Sequence, residues 1–424
     1  MNPTFSRSQS GHFSRRAAFG MAGAALAGHA FAADTQPPNL PSSGVNLRDH
    51  GAKGDGVTDD TAAFEAALNE GRSSRQPVSV PDGRYRLTRP LSIHAQGLVG
   101  NPWGSWVADV AALPTLLPES LDGPALTLEA GGSVAGIEIR YPNDDPAHPM
   151  ERPAAIRLGE TGATVRWVKI SHPWIGIDTV PLHTNPGRTV VENVFIAGAH
   201  HLGLHFTGAA DVCLSRNIEV WTPPESSGTF LSSGTAFHFQ RGDGVRLTDC
   251  FAFGANRGYL FTKDSSDGPL GGVFTGYLSN CLGDFCNTGI EVRGDHRLTI
   301  TGGGNWSHHS CIRLEEGSAI LLASAVEMFS NANAAVFVGS AAQAVFQGCG
   351  IERKHPDFPG PAVHLTGGER VIFGHCVLRS PAGPAVQNEM QSGRLVMTGN
   401  SIEGEIVDRS GGSAQSLAEA NLMT

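Results

Sequence analysis

One four-residue phrase recurs through most of this chain: a small residue, an apolar one, a variable one, then usually another apolar one. It reads AIRL (155–158), GIDT (176–179), GLHF (203–206), AFHF (236–239), GYLF (258–261), GIEV (289–292), CIRL (311–314), AVFV (335–338), AVHL (362–365) and AVQN (385–388). The steps are 21, 27, 33, 22, 31, 22, 24, 27 and 23 residues, a base of about 22 with insertions. A second phrase falls between them: VVEN (190–193), LSRN (214–217), LTDC (247–250), LSNC (278–281), FQGC (346–349), FGHC (373–376) and MTGN (397–400). Its last position, with Gly304 and Ala325 in two further repeats, runs 193, 217, 250, 281, 304, 325, 349, 376, 400 and keeps the same period.

Alternation of period two inside each phrase marks strands. Short strands, three to a turn of about 22 residues, predict an all-β chain: a right-handed parallel β-helix of about ten coils. Equivalent residues then stack about 4.8 Å apart on successive rungs. Cys250, Cys281, Cys349 and Cys376 fall in the second ladder. Seven cysteines are an odd number in a chain too long for a disulfide scaffold, so these read as buried thiols. The 54 glycines and the low charged fraction, 17%, fit a loop-rich stack better than a helical array.

The stretch GAKGDGVTDDTAAFEAAL (51–68) precedes the repeats. It lacks the Gly-Lys-Ser/Thr of a phosphate loop and the carboxylate spacing of a calcium loop. Asp59-Asp60-Thr61 is a helix start, and Ala63, Phe64, Ala67 and Leu68 form an apolar stripe. An open β-helix end exposes its core, so residues 60–70 are expected to be a capping helix.

Residues 1–32 carry SRRAAFG (14–20), the apolar run MAGAALAG and an A-x-A site ending at Ala32. This predicts an export signal of twin-arginine type, with Phe19 one place later than usual. A linker (33–44), one β-helix domain (45–410) and a polar tail (411–424) would follow. The apolar run is too short to span a bilayer, so a periplasmic or secreted location is expected. Of 30 Lys and Arg, three (Arg7, Arg15, Arg16) go with the signal, leaving 27 against 40 acids and a net charge of −13. Nucleic acid and anionic membranes are poor partners for such a chain.

GVNLRDHGAKGDGVTDDTAAFEAAL, followed by VSVPDGRYRLTRPLSI (78–93), resembles the opening segment of the pectate-lyase-3 / glycoside-hydrolase-28-related superfamily. The resemblance implies a right-handed parallel β-helix acting on polysaccharide, and monomers or trimers. Polygalacturonases of that superfamily take their carboxylates from Asn-Thr-Asp, Asp-Asp and Gly-His-Gly phrases in order. The first is absent here. Asp144-Asp145 and the GHC at 374–376 stand in the wrong order and coils, so no catalytic residue carries over.

The candidate site follows from position. Two insertions, 221–234 and 262–275, fall in neighbouring coils and would wall a groove. Aligning the first phrase puts His205, His238, Leu260, Glu291 and Arg313 in one outward column, and Thr207, Gln240, Thr262, Arg293 and Glu315 in another. Glu291 would face Arg313 and Arg293 would face Glu315, either as a structural ion-pair ladder or as sugar subsites. Asp264 and Asp295 take equivalent places on adjacent rungs, about 5 Å apart, within the roughly 5–10 Å of glycosidase pairs. Their repulsion would raise one pKa and supply an acid, unless both are turn residues. Trp221 and Trp306 lie on the groove side, as stacking faces or packing. The histidine clusters 200–205 and 308–309 lack a third carboxylate in a ligating frame, so no metal is expected.

The expected activity is hydrolysis of a polysaccharide or oligosaccharide, with acid and base among Asp264, Asp295, Glu291 and Glu315 and with His238 and Arg293 orienting the sugar. The alternatives are a polysaccharide lyase or epimerase, or a non-catalytic carbohydrate-binding β-helix. Lys263, Arg293, Arg313 and His238 would serve a lyase. Hydrolysis needs no cofactor; calcium would enter only for a lyase.

Overall fold

The computed structural model describes residues 44–105, 107, 113–141, 148–179, 185–223, 228–263, 272–357, 359–412 and 415–423. Asp144, Asp145, Asp264 and the export signal lie outside them.

All strand pairs are parallel, and they sort into three ladders. The first runs from Val45–Asn46 through Val78–Ser79 and Gly97–Val99 to Gln415–Glu419. The second runs from Asp55–Asp59 through Arg84–Leu87 and Thr115–Pro118 to Leu422–Met423. The third runs from Leu91–His94 through Leu126–Glu129 and Ile156–Leu158 to Ile406–Asp408. The chain is a parallel β-helix.

The first phrase of the sequence is the third ladder, in register at every rung. Ile156, Ile177, Leu204, Phe237, Tyr259, Ile290, Ile312, Val336, Val363 and Val386 pair in succession. These inward residues make the core. Phe237 stacks on Tyr259 at 4.8 Å and Phe346 on Phe373 at 5.0 Å.

The last position of the second phrase mixes two places, a left-handed bend and the inward site just after it. Asn193, Asn217, Asp249, Asn280, Gly302, Ala325, Gly348, His375 and Gly399 share the bend between the first and second ladders, all with φ between 51° and 65°. This left-handed backbone is why Asn, Asp and Gly collect there. Asn217 Nδ2 donates to Asn193 Oδ1 at 2.8 Å. Cys250, Cys281, Cys349, Cys376 and Asn400 stand one residue further on, pointing inward. All seven cysteines are buried and free.

Helix α1 spans Thr61–Ser74, longer than its apolar stripe, and buries Ala63, Phe64, Ala67, Leu68 and Gly71. Phe64 meets Tyr85 edge to face at 5.5 Å. The aspartates before it hold backbone. Asp60 accepts from the N–H of Lys53 and Gly54, and Asp59 from Thr61 N–H, Thr61 Oγ1 and Thr88 Oγ1.

Pairing does not stop at Ser410. Gln415–Glu419 and Leu422–Met423 extend the first and second ladders, so much of the expected tail is another stretch of the stack. Helix α2, Gly228–Ser233, occupies one long insertion and seats Phe230 in the core.

Candidate functional site

Along a strand, residues two apart share a face, and on the third ladder the outward face carries the polar groups. His205, His238, Leu260, Glu291 and Arg313 pair rung by rung as the phrase predicts. The column continues through Phe337, His364 and Gln387.

The charges pair differently from the expected checkerboard. A bulge after Val292 brings Arg293 opposite Glu316 in place of Glu315. Arg293 turns back along its own strand to Glu291, and Arg313 likewise reaches Glu315, 2.6 Å from Nε. Glu291, 4% exposed, also accepts from Arg257 Nε of the preceding rung at 2.8 Å. Two arginines therefore hold one buried carboxylate, and the face of Arg313 covers Phe337 at 4.4 Å. Arg257 escaped the sequence reading because it stands ahead of the GYLF phrase, outside the aligned columns.

Beyond the strand ends, Lys263 Nζ meets Asp295 Oδ2 at 2.8 Å, both about half exposed. Asp295 Oδ1 accepts from Ser318 N–H at 2.7 Å. The Lys263 ammonium, helped by that N–H, holds the Asp295 carboxyl below the usual carboxylate range. The expected repulsion between Asp295 and Asp264 involves a residue outside the described ones; the neighbour seen at Asp295 is the Lys263 ammonium. Gly294 permits the pair: its φ is 128°, and a Cβ there would stand 2.8 Å from Lys263 Cγ.

His205 and His238 stack at 4.9 Å. His238 Nε2 bonds Thr262 Oγ1 at 2.8 Å and His205 Nε2 bonds Gln240 Oε1 at 2.9 Å. Burial, with His205 beside it, pushes His238 down to about 3, so it is neutral near neutral pH. Further along, Glu389 accepts from His364 at 3.0 Å, Gln387 at 2.8 Å and Arg409 at 3.3 Å. The sequence signal for this second cluster was present. Glu389 lies two residues past Gln387, as Arg293 lies two past Glu291.

Trp221 and Trp306 belong to the second ladder, not the third. Trp221 lies in an aromatic row with Phe195 (6.4 Å) and Phe253 (6.0 Å) and is 38% exposed. Asp264 lies outside the described residues. Among the described residues no group of three or more His, Cys, Asp or Glu gathers as a metal site, and no helix is long and apolar enough to cross a membrane.

Residues 44–112 match the family described as rhamnogalacturonase A/epimerase, pectate lyase-like. Among curated proteins, a glucan 1,3-beta-glucosidase of Cochliobolus carbonum is 41% identical over 69 residues, 13% of this chain and 9% of that protein. A polygalacturonase of Persea americana is 22% identical over 282 residues, 63% of this chain. The chain spans about half of that relative, 56%. Among solved structures, the A-module of a mannuronan C-5 epimerase of Azotobacter vinelandii superposes with a TM-score of 0.63 at 15% identity, covering 89% of this chain and 99% of the module. These matches support a pectin-lyase-like superfamily assignment.

Proposed function

We propose that the protein is an exported enzyme acting on a uronate-containing polysaccharide, bound along the outer face of the third ladder. The relatives support the substrate class: a polygalacturonase and a mannuronan epimerase are both named for uronate polymers. The observation that carries the reaction type is the exposed Asp295–Lys263 pair beside Arg293 and Arg313. Glu291, Asp295 and Glu315 are each salt-bridged, which suits a proton acceptor better than the protonated acid of a glycosidase.

In this reading Arg293 and Arg313 face the uronate carboxylate and stabilise the charge that develops beside it. Asp295 takes the C5 proton. For a lyase the C4–O bond then breaks, its electron pair leaves on the glycosidic oxygen, and Lys263 protonates that oxygen. For an epimerase a solvent water on the other side of the ring gives C5 a new proton, and Asp295 then releases its own proton to solvent. Glu291, with both oxygens on arginines, fixes their direction, and Glu315 does the same for Arg313. His205 and neutral His238 wall the groove and offer hydrogen bonds to sugar hydroxyls.

The competing reading is hydrolysis, favoured by the glucosidase and polygalacturonase matches. It assigns the acid to Asp264 and the base to Asp295. The test is to incubate the protein with neutral and uronate polysaccharides, reading reducing ends, ultraviolet-absorbing unsaturated uronides and C5 configuration by NMR. Unsaturated ends or inverted C5 support proton abstraction. New reducing ends with neither transfer the assignment to hydrolysis.

A further inference from the structure

Among the described residues Arg353 is the largest fully buried side chain, at 0% exposure, and none of them gives it a counter-charge. It ends the second-ladder strand Gly350–Arg353, with Ile351 also turned inward. Its partner on the preceding rung is Ser330, and Ser330 in turn pairs with Ser307. Ser380 follows on the next rung, just past the pair Glu352–Arg379. A column of small buried serines therefore holds one arginine.

The guanidinium donates once, from Nη2 to Ala332 O at 3.2 Å. Nε and Nη1 have no hydrogen-bond partner among the described residues. Backbone closes over them: a Cβ on Gly360 would stand 3.7 Å from Cζ and Nε. The nearby acids are committed elsewhere. Glu352 and Glu403 face Arg379, and Asp357 faces His355.

An arginine does not shed its proton in a protein. An uncompensated buried charge is among the most destabilising things a fold can contain. A small anion from solvent, seated beside Gly360, would supply both the acceptor and the counter-charge.

We propose that Arg353 forms a buried binding site for a small monovalent inorganic anion of the chloride class. The anion accepts from Nε and Nη1 and ties the backbone at Gly360 to the stack. The site is independent of the groove on the third ladder and of any reaction there.

Two measurements test it. Crystals of the full chain grown in bromide are expected to show an anomalous peak within hydrogen-bonding distance of Arg353 Nε and Nη1. A water molecule there, with no anomalous signal, would overturn the proposal. In solution, replacing gluconate by chloride at constant ionic strength is expected to raise the melting midpoint by about 2 °C or more, and Arg353→Met is expected to lose that increment. An equal increment in both proteins would also overturn it. Should Arg353→Met fail to fold, the bromide experiment on the unaltered protein decides alone.

Discussion

Asp295 and Glu291 lie four residues apart and differ in what surrounds them. Glu291 is sealed under Arg257 and Arg293, while Asp295 shares an open ion pair with Lys263. Asp295→Asn should lower kcat by about 10²- to 10⁴-fold, the usual worth of a positioned base, with the fold unchanged by circular dichroism. Because Lys263 is the largest influence holding the Asp295 carboxyl down, Lys263→Gln should move the acid limb of kcat/KM to higher pH; an unmoved limb would remove Asp295 from the role of base. Arg257→Met leaves Glu291 half-partnered and should destabilise by about 3 kcal/mol, read by urea unfolding. A further pH effect follows from His238. Its folded pKa, about 3, lies below the ordinary 6.5. Between those values the unfolded chain binds a proton that the folded one refuses, so stability is present above pH 6.5 and lost as pH falls through this window. His238→Asn should flatten the loss, measured as the urea midpoint against pH.

At the scale of elements, period-two alternation carried the third ladder because each rung repeats the same inward pair. The register from Ile156 to Val386 was legible without any contact information. The second ladder slipped because two adjacent positions both favour small polar residues: the left-handed bend (Asn193, Asn217) and the inward site after it (Cys250, Asn400). Composition alone does not separate a backbone requirement from a packing one. Asn217→Val should cost about 1–2 kcal/mol, since a branched residue there must adopt a left-handed backbone, and chemical denaturation would show it. The ion pairs were misread for a related reason: the bulge at Val292 shifts one strand by a residue, and no pattern in GIEV or CIRL announces it. The helix itself was legible from its apolar stripe, and its last turn was not because Asn69–Ser74 carry almost no apolar residue. Phe64→Ala, which empties a fully buried ring site against Tyr85, should destabilise by about 3–5 kcal/mol if the helix closes the core as the sequence reading holds.

For the whole molecule, the ladders act as a ruler. Each rung advances the outer face of the third ladder by about 4.8 Å, so an extended sugar chain along the stack would meet a new pair of outward residues at each step. From His205 to Gln387 that face changes from stacked histidines, through arginines and carboxylates, to the His364–Glu389 cluster. The aromatic stack around Trp221 lies on the second ladder and presents another surface. With a net charge of −10, the chain has the local cations of the third ladder as its main answer to an anionic polymer. The measurement that tests this most directly is a crystal structure of the Asp295→Asn protein with a uronate oligosaccharide. The account predicts a sugar chain along the third ladder with its carboxylates on Arg293 and Arg313. A chain lying instead against Trp221 and Phe253 on the second ladder, with the third ladder bare, would contradict it.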